Sequence, residues 1–262
     1  VRVLVTGAGG GIGRSLCLAL SERGFDVVAS ARRKEQIPTG ERIEPLVLDV
    51  TDPESVSQIS EFASQIDAVV NNAAINPPGP LEFVDPQRLA GAFDTNVLGP
   101  LRIIQALAPA WRKRGSGVIV NISSIQGRVA TPLDGAYATT KFALEGLSET
   151  LHIELGHFGV RVVIVEPGYV GDGMAPLEKN EGDGAYGELS QEWERAVATL
   201  IGPGGRPGST IVSQAVIKAI EEKTTPLRVS VGDLAHLVLS ARASMNDQEF
   251  EAAMRSMLSL TW

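Results

Sequence analysis

Seven short apolar runs, separated by longer stretches, constrain this chain more than any other feature. They are Arg2–Thr6, Val27–Ala31, Pro45–Leu48, Ala68–Asn71, Gly117–Ile122, Val160–Val165 and Leu227–Val231. All are four to six residues long, rich in Val and Ile, and without clean polar alternation. A strand with one wet face alternates apolar and polar residues, so unbroken apolar runs mark strands covered on both faces, as in a parallel sheet. Several of the stretches between them have helical period. Ile12, Leu16, Ala19 and Leu20 recur before Gly24, and Leu89, Phe93, Val97, Leu101 and Ile104 form a second face. A third runs from Tyr137 through Leu144, Leu147, Leu151 and Leu155 to Gly156. Strand-helix alternation requires right-handed crossovers. The expected fold is α/β, a doubly wound parallel sheet of about seven strands with helices on both faces.

A chain of 262 residues can bury one large core, so a single domain over 1–262 is expected. The pattern loosens after Pro167. Gly171–Gly187 is rich in Gly and acidic residues, and Ile201–Gly208 in Gly and Pro. Between them Leu189, Trp193, Ala196, Val197 and Leu200 outline an amphipathic helix. Residues 171–208 are therefore expected to be a mobile insertion over the substrate. Net charge is −8 and the basic residues are scattered, apart from Arg32-Arg33-Lys34 and Arg112-Lys113-Arg114. That argues against nucleic acid or an anionic membrane as the main partner. Cys17 is alone, and His152, His157 and His236 have no neighbouring ligand set, so neither a disulfide framework nor a metal site is expected. No run approaches the ~20 apolar residues of a membrane span. The chain opens directly on a strand-like segment, from which no signal peptide and a cytoplasmic location are expected.

Thr6-Gly7-Ala8-Gly9-Gly10-Gly11-Ile12-Gly13 lies where the first strand turns into the first helix. Glycines there admit φ > 0 and let backbone N–H groups approach a pyrophosphate at the helix N-terminus. The loop lacks the Lys-Ser/Thr ending of a triphosphate loop, which favours a dinucleotide over ATP or GTP. At the end of the second strand a carboxylate would bind the ribose 2′-OH of NAD, whereas an arginine suits a 2′-phosphate. The chain reads Ala29-Ser30-Ala31-Arg32-Arg33, so NADP(H) is expected as the preferred cofactor, with NAD(H) possible.

Tyr137 and Lys141 stand four apart on the third helical stretch and so project from one face, with Ser124 thirteen residues upstream of the tyrosine. A free phenol titrates near ~10 and is a poor acid-base group at neutral pH. The ammonium is expected to hold the phenolate and lower that value. The serine hydroxyl would bond a substrate oxygen while the tyrosine transfers a proton.

Taken together, these segments resemble the single-domain branch of the short-chain dehydrogenase/reductase family, over residues 1 to about 172 and more loosely beyond. The motifs are Thr6-Gly7-x-x-x-Gly11-x-Gly13, Asp49 after the third strand, and Asn71-Asn72-Ala73-Ala74 after the fourth. Asn96 in Asp94-Thr95-Asn96-Val97-Leu98-Gly99, Asn121-Ile122-Ser123-Ser124, Tyr137-x-x-x-Lys141 and Pro167-Gly168 complete the set. The loop also satisfies Gly7-x-x-Gly10-x-x-Gly13, the spacing of the larger epimerase and dehydratase branch. Chain length and Asn71–Ala74 favour the smaller branch. The resemblance implies a Rossmann-type fold and a set of roles. Gly7, Gly10, Gly11 and Ile12 would meet the pyrophosphate and Arg32 the 2′-phosphate. Asp49 and Val50 would contact adenine, and Asn72, Ala73 and Ala74 the ribose side. Tyr137 would be the general acid or base, Ser124 would polarise the carbonyl, and Lys141 would bind the nicotinamide ribose. Ser123 competes with Ser124, but the interval to Tyr137 selects Ser124. Asn96 would hold a water linking Lys141 to solvent, and Pro167, Gly168 and Val170 would contact the cofactor.

The sequence departs from the family after Pro167-Gly168, where a frequent threonine is replaced by Asp172. The substrate side is expected to comprise Ile75 to Pro80, Gln126, Leu133, Tyr169 and Met174–Leu200, mostly apolar and without an arginine poised for an anion. That implies a neutral, fairly hydrophobic ketone, aldehyde or alcohol. The tail, with Pro226-Leu227-Arg228-Val229 and an amphipathic stretch Gln248–Leu258, resembles members acting on retinoid, steroid or xenobiotic carbonyls. The family commonly pairs the helices bearing Leu89–Leu107 and Tyr137–Leu155, so the resemblance implies a homodimer or homotetramer. The alternatives are a non-catalytic dinucleotide sensor of the same fold, or an epimerase or dehydratase with a retained cofactor.

Overall fold

The computed structural model describes residues 1–171 and 184–261. Its centre is a sheet of strands β1 Arg2–Val5, β2 Asp26–Ala31, β3 Ile43–Val47, β4 Ala68–Asn71, β5 Gly117–Ile122, β6 Val160–Pro167 and β7 Arg228–Val231. All pairings are parallel, in the order β3-β2-β1-β4-β5-β6-β7. The described helices are α1 Gly11–Glu22, α2 Pro53–Ser57, α3 Pro86–Phe93, α4 Gly99–Arg114, α5 Gly135–Gly156, α6 Gly187–Ile201, α7 Thr210–Glu221, α8 Asp233–Ser244 and α9 Asp247–Leu258.

The two-sided burial inferred from the apolar runs is real at the centre of the sheet. Val3 and Val5 join one core with residues of α1 and α7, whereas Leu4 joins the other with Ile103, Leu107 and Trp111 of α4. The same alternation splits Val120 from Ile119 and Val163 from Val162. Both edge strands depart from it, β7 with Arg228, Val229 and Ser230 only half-buried and, more strongly, β3. As an edge strand it leaves Glu44 and Val47 exposed, and it starts earlier than the Pro45–Leu48 run because Ile43 pairs with Val27. The segment Leu89–Ile104 is not one continuous helix. A π-helical turn at Asp94–Leu98 separates α3 from α4, and the apolar spacing carries through the slip.

Strand order reverses between β1 and β4. The chain builds outward through β2 and β3, then returns to the other side of β1, so the loops after β1 and β4 diverge and leave a crevice at the strands' carboxyl ends. Beside that crevice, β6, β7 and α5 are tied by charge. Arg228 of β7 bonds Glu145 and Glu149 of α5 at 2.9 and 2.8 Å, and lies 3.8 Å from Glu166 of β6. Glu166 is 2% exposed, and burial, reinforced by Glu145, pushes its carboxyl up to about 7. Its ionised form is thus a cost that grows as pH rises from the ordinary value of 4.5 through about 7. Glu166→Gln should therefore melt above the parent at pH ~8 and show little gain near pH ~5. Thermal unfolding at the two pH values checks this, and an equal shift at both contradicts it.

Candidate active site

The crevice is a cavity of about 720 Å³. Along its lining lie Gly7, Gly10, Gly11, Ile12, Arg32, Asp49, Val50, Asn72, Ala73, Ala74, Ser124, Tyr137, Lys141, Pro167, Gly168 and Val170. Of the residues singled out from sequence as catalytic or cofactor-binding, only Asn96 is not in that wall.

The glycine loop is shaped by its neighbours. Gly7 has φ +67°, and a Cβ there would come within 2.8 Å of Ala73 Cα. A Cβ on Gly13 would lie 2.2 Å from the Gly7 carbonyl oxygen, so α1 can close on the loop only without one. Gly10 and Gly11 differ. A Cβ at either would meet nothing nearer than 3.7 and 3.9 Å. Protein packing does not require glycine at these two positions, and the space in front of them belongs to the cavity. The N-terminus of α1 has no side-chain cap and no acid in its first turn, so its N–H groups face a ligand without competition. Asn72 braces the loop, its side-chain amide donating to the Thr6 and Gly7 carbonyls at 3.0 and 3.1 Å. The Thr6 hydroxyl accepts in return from the Asn72 and Ala73 N–H groups.

Further along, Asp49 accepts from the Thr51 N–H and hydroxyl at 2.9 and 2.7 Å. Burial pushes its carboxyl up, but these bonds and the Arg32 charge outweigh it and leave it below the usual value. Arg32 is exposed at the cavity's edge, and no carboxylate occupies the end of β2.

At the other end Tyr137, in the first turn of α5, hydrogen-bonds Ser124. Lys141 is 3% exposed, donates to the Ile122 carbonyl at 2.7 Å, and holds its ammonium 5.4 Å from the Tyr137 ring centroid. Burial pulls Lys141 down to about 8 against the opposing charge of Glu145. The expected acidification of Tyr137 is corrected here. Burial and then Asp134 push its phenol up, and only the Ser124 bond draws it down. Asn96 lies behind the wall. Its side chain accepts from Ile75 N–H and donates to the Ile75 carbonyl and the Thr140 hydroxyl, each at 2.9 Å. It thus fastens the loop after β4 to α5.

The lining also carries polar and charged groups that the expectation of a mostly apolar surface left out. Asn76, Gln126, Asp134 and Arg206 line the cavity near Tyr137 and Tyr169. Asp134 accepts from Asn76 and Gln126 amides at 2.8 and 3.2 Å. Arg206 stands over the Tyr169 ring, 5.6 Å from its centroid. Burial and Asp134 push the Tyr169 phenol up to about 12 while Arg206 opposes them. The sequence did not single out Asp134, Arg206 or Ser209; its signals were the proximity of Asp134 to Tyr137 in the chain and the place of Arg206 in the expected 171–208 insertion. Leu133 instead packs against Trp193 of α6, which forms where its apolar spacing indicated. Asp172 and Met174–Asp183 lie outside the described residues.

A family model described as short chain dehydrogenase matches residues 2–182. A 3-ketodihydrosphingosine reductase of Bacteroides thetaiotaomicron is 30% identical over 262 residues, covering 97% of this chain and 96% of that protein. Human retinol dehydrogenase 8 is 36% identical over 181 residues, 64% of this chain and 58% of its own. Among solved structures, a short-chain dehydrogenase from Streptomyces avermitilis superposes with a TM-score of 0.84 at 31% identity, covering 100% of this chain and 99% of the other. One from Burkholderia cenocepacia, in complex with NADP, gives 0.76 at 29% identity, covering 100% and 98%.

The two kinds of glycine in the loop should respond differently to alanine. Gly13→Ala is expected to lower Tm by several degrees, since the Gly7 carbonyl must move. Gly11→Ala is expected to keep Tm and to weaken NADPH binding by about tenfold or more. Melting curves and fluorescence titration check both; a Gly11→Ala protein that binds normally contradicts this reading of the loop.

Proposed function

Because the chain belongs to the short-chain dehydrogenase/reductase family, we propose that it transfers hydride between NADP(H) and a small carbonyl compound or its alcohol. The observation that carries this is the meeting of Ser124, Tyr137 and Lys141 in the cavity that also holds the open face of the glycine loop. The residues fit a dinucleotide phosphate. Space stands before Gly10 and Gly11, the α1 N-terminus is uncapped, and Arg32 supplies a cation where a 2′-phosphate would lie. The NADP named in the Burkholderia complex supports the same choice, with NAD(H) as the second cofactor.

NADPH, when bound, supplies the hydride. The chain's own groups handle the proton. Tyr137 is held protonated by burial, the form needed to donate to a carbonyl oxygen during reduction. Ser124, sharing a hydrogen bond with Tyr137, orients that oxygen. Lys141, pulled down to about 8, can lose and regain a proton close to neutral pH and so resupply the phenol or hold the ribose. Asn96 acts as a positioning residue, keeping Ile75 and Thr140 in register across the cavity. Pro167, Gly168 and Val170 close the cofactor side.

On the substrate side, Ile75, Pro78 and the Tyr169 ring offer a hydrocarbon surface, which supports a fairly hydrophobic ketone, aldehyde or alcohol. Relatives named for 3-ketodihydrosphingosine and retinol support the same class. Neutrality of the substrate rested on a lining without charge, and Asp134 and Arg206 remove that basis. Residues 171–208 are proposed as a substrate-covering insertion of this single domain. Exposed Leu98, in the π-helical turn that leads into α4, and exposed Phe142 and Ile153 of α5 support a homodimer or homotetramer built on those two helices. No helix among the described residues is long and apolar enough to cross a membrane; a cytoplasmic location is proposed.

Two measurements test this reading. Tyr137→Phe should bind NADPH normally and lose turnover by at least ~10²-fold. Near-normal turnover would refute the role of Tyr137, and no NADPH consumption by the parent with any simple ketone would favour a sensor, epimerase or dehydratase. For the cofactor, kcat/KM should be about tenfold or more higher with NADPH than NADH, and Arg32→Ala should remove most of that difference. Equal values for the parent enzyme refute the assignment.

A further inference from the structure

A carboxylate beside a proton-donating phenol is electrostatically unfavourable for the phenolate, so Asp134 requires a reason. Capping is not that reason. Asp134 is the N-cap residue of α5, yet its side chain makes no cap hydrogen bond. It turns instead to the cavity, where Asn76 and Gln126 grip one oxygen each. These contacts come from segments 58 and 8 residues away in sequence, and they fix the carboxylate's orientation. Two amide bonds leave further lone pairs on the carboxylate, which can accept about four in all.

Asp134 is only half-buried, and no close cation among the described residues meets its charge. No lysine or arginine there forms an ion pair with Asp134. The cations lining the cavity are engaged elsewhere: Arg32 beside Asp49, Lys141 on the Ile122 carbonyl, and Arg206 over the Tyr169 ring. The Asp134 charge is felt at both Tyr137 and Tyr169. The constellation is therefore a fixed acceptor without an ion-pair partner among the described residues, preorganised by two amides, in the cavity that holds Ser124, Tyr137 and Lys141.

We propose that Asp134 recognises a protonated amine on the substrate, placed close to the carbonyl group that Tyr137 protonates. This rests on the reductase reading and names the substrate class for the same cavity. A hydroxyl could satisfy a lone pair, but only a cation also offsets the charge. Proximity to the carbonyl follows from Asp134 and Tyr137 being three residues apart at the start of α5, a spacing that brings side chains to one side. Docking of the ammonium also weakens an influence that holds the phenol protonated, so recognition and proton transfer are coupled.

The test uses three matched aliphatic ketones carrying an amino group, a hydroxyl or hydrogen on the carbon next to the carbonyl, assayed with NADPH in mildly acidic buffer. The parent enzyme should favour the amino ketone over the unsubstituted one in kcat/KM by about tenfold or more, with the hydroxy ketone between. Asp134→Asn, which keeps shape and removes charge, should cut that ratio to within about threefold. NADPH binding by fluorescence reports whether the variant is folded. If it binds poorly, Asp134→Glu, which keeps the charge but moves it, carries the test, and the ratio should again fall. A parent enzyme with no amine preference, or a ratio that survives the substitution, overturns the proposal and leaves the reductase reading standing. Absence of turnover with all three ketones overturns both.

Discussion

Where the chain leaves β1, the Thr6 hydroxyl accepts from the backbone N–H groups of Asn72 and Ala73, and the Asn72 amide returns bonds to the Thr6 and Gly7 carbonyls. These four contacts join the two diverging loops at the point where strand order reverses. Without them the glycine loop would have no reason to hold φ +67° at Gly7 or to keep the α1 N-terminus open. Asn96 makes a similar connection on the other wall, from Ile75 to α5. The cavity is thus framed by short polar side chains with their bonding capacity turned inward to the protein. Its interior is left to the groups that meet a ligand.

Much of this was legible in the sequence, because the signals are local. Two-sided burial wrote itself as unbroken Val and Ile runs in β1, β4, β5 and β6, and the phosphate loop and the Tyr137–Lys141 pair are each contained in one turn. The failures share another cause. The π-helical turn at Asp94–Leu98 is a change of hydrogen-bond register, invisible to apolar spacing that continues through it. The edge position of β3 depends on strand order, which no single run encodes. Asp134 and Asn76 meet across 58 residues, so the polar end of the cavity appears only once the chain is folded.

The direction of the Tyr137 shift has the same lesson in electrostatic form. Helical spacing brings an ammonium and a phenol together and suggests an ion pair. Burial acts on both members, however, pushing the phenol up and the lysine down to about 8. A low-dielectric wall favours the neutral forms of each, so the pair is poised to keep a proton on the phenol rather than to strip it. That suits the proposed reduction, in which the phenol would be the donor. The Asp134 charge adds to the same bias.

Trp193 and Ala196 of α6 and Leu258 of α9 pack with one another in a small cluster apart from the two cores that flank the sheet. The C-terminal helix is therefore partner to α6, and only a few apolar side chains need to agree for that unit to hold. That packing is separate from the two cores that position the crevice. Such a division would let the proposed reactant side be refitted while the sheet and its loops stay as they are.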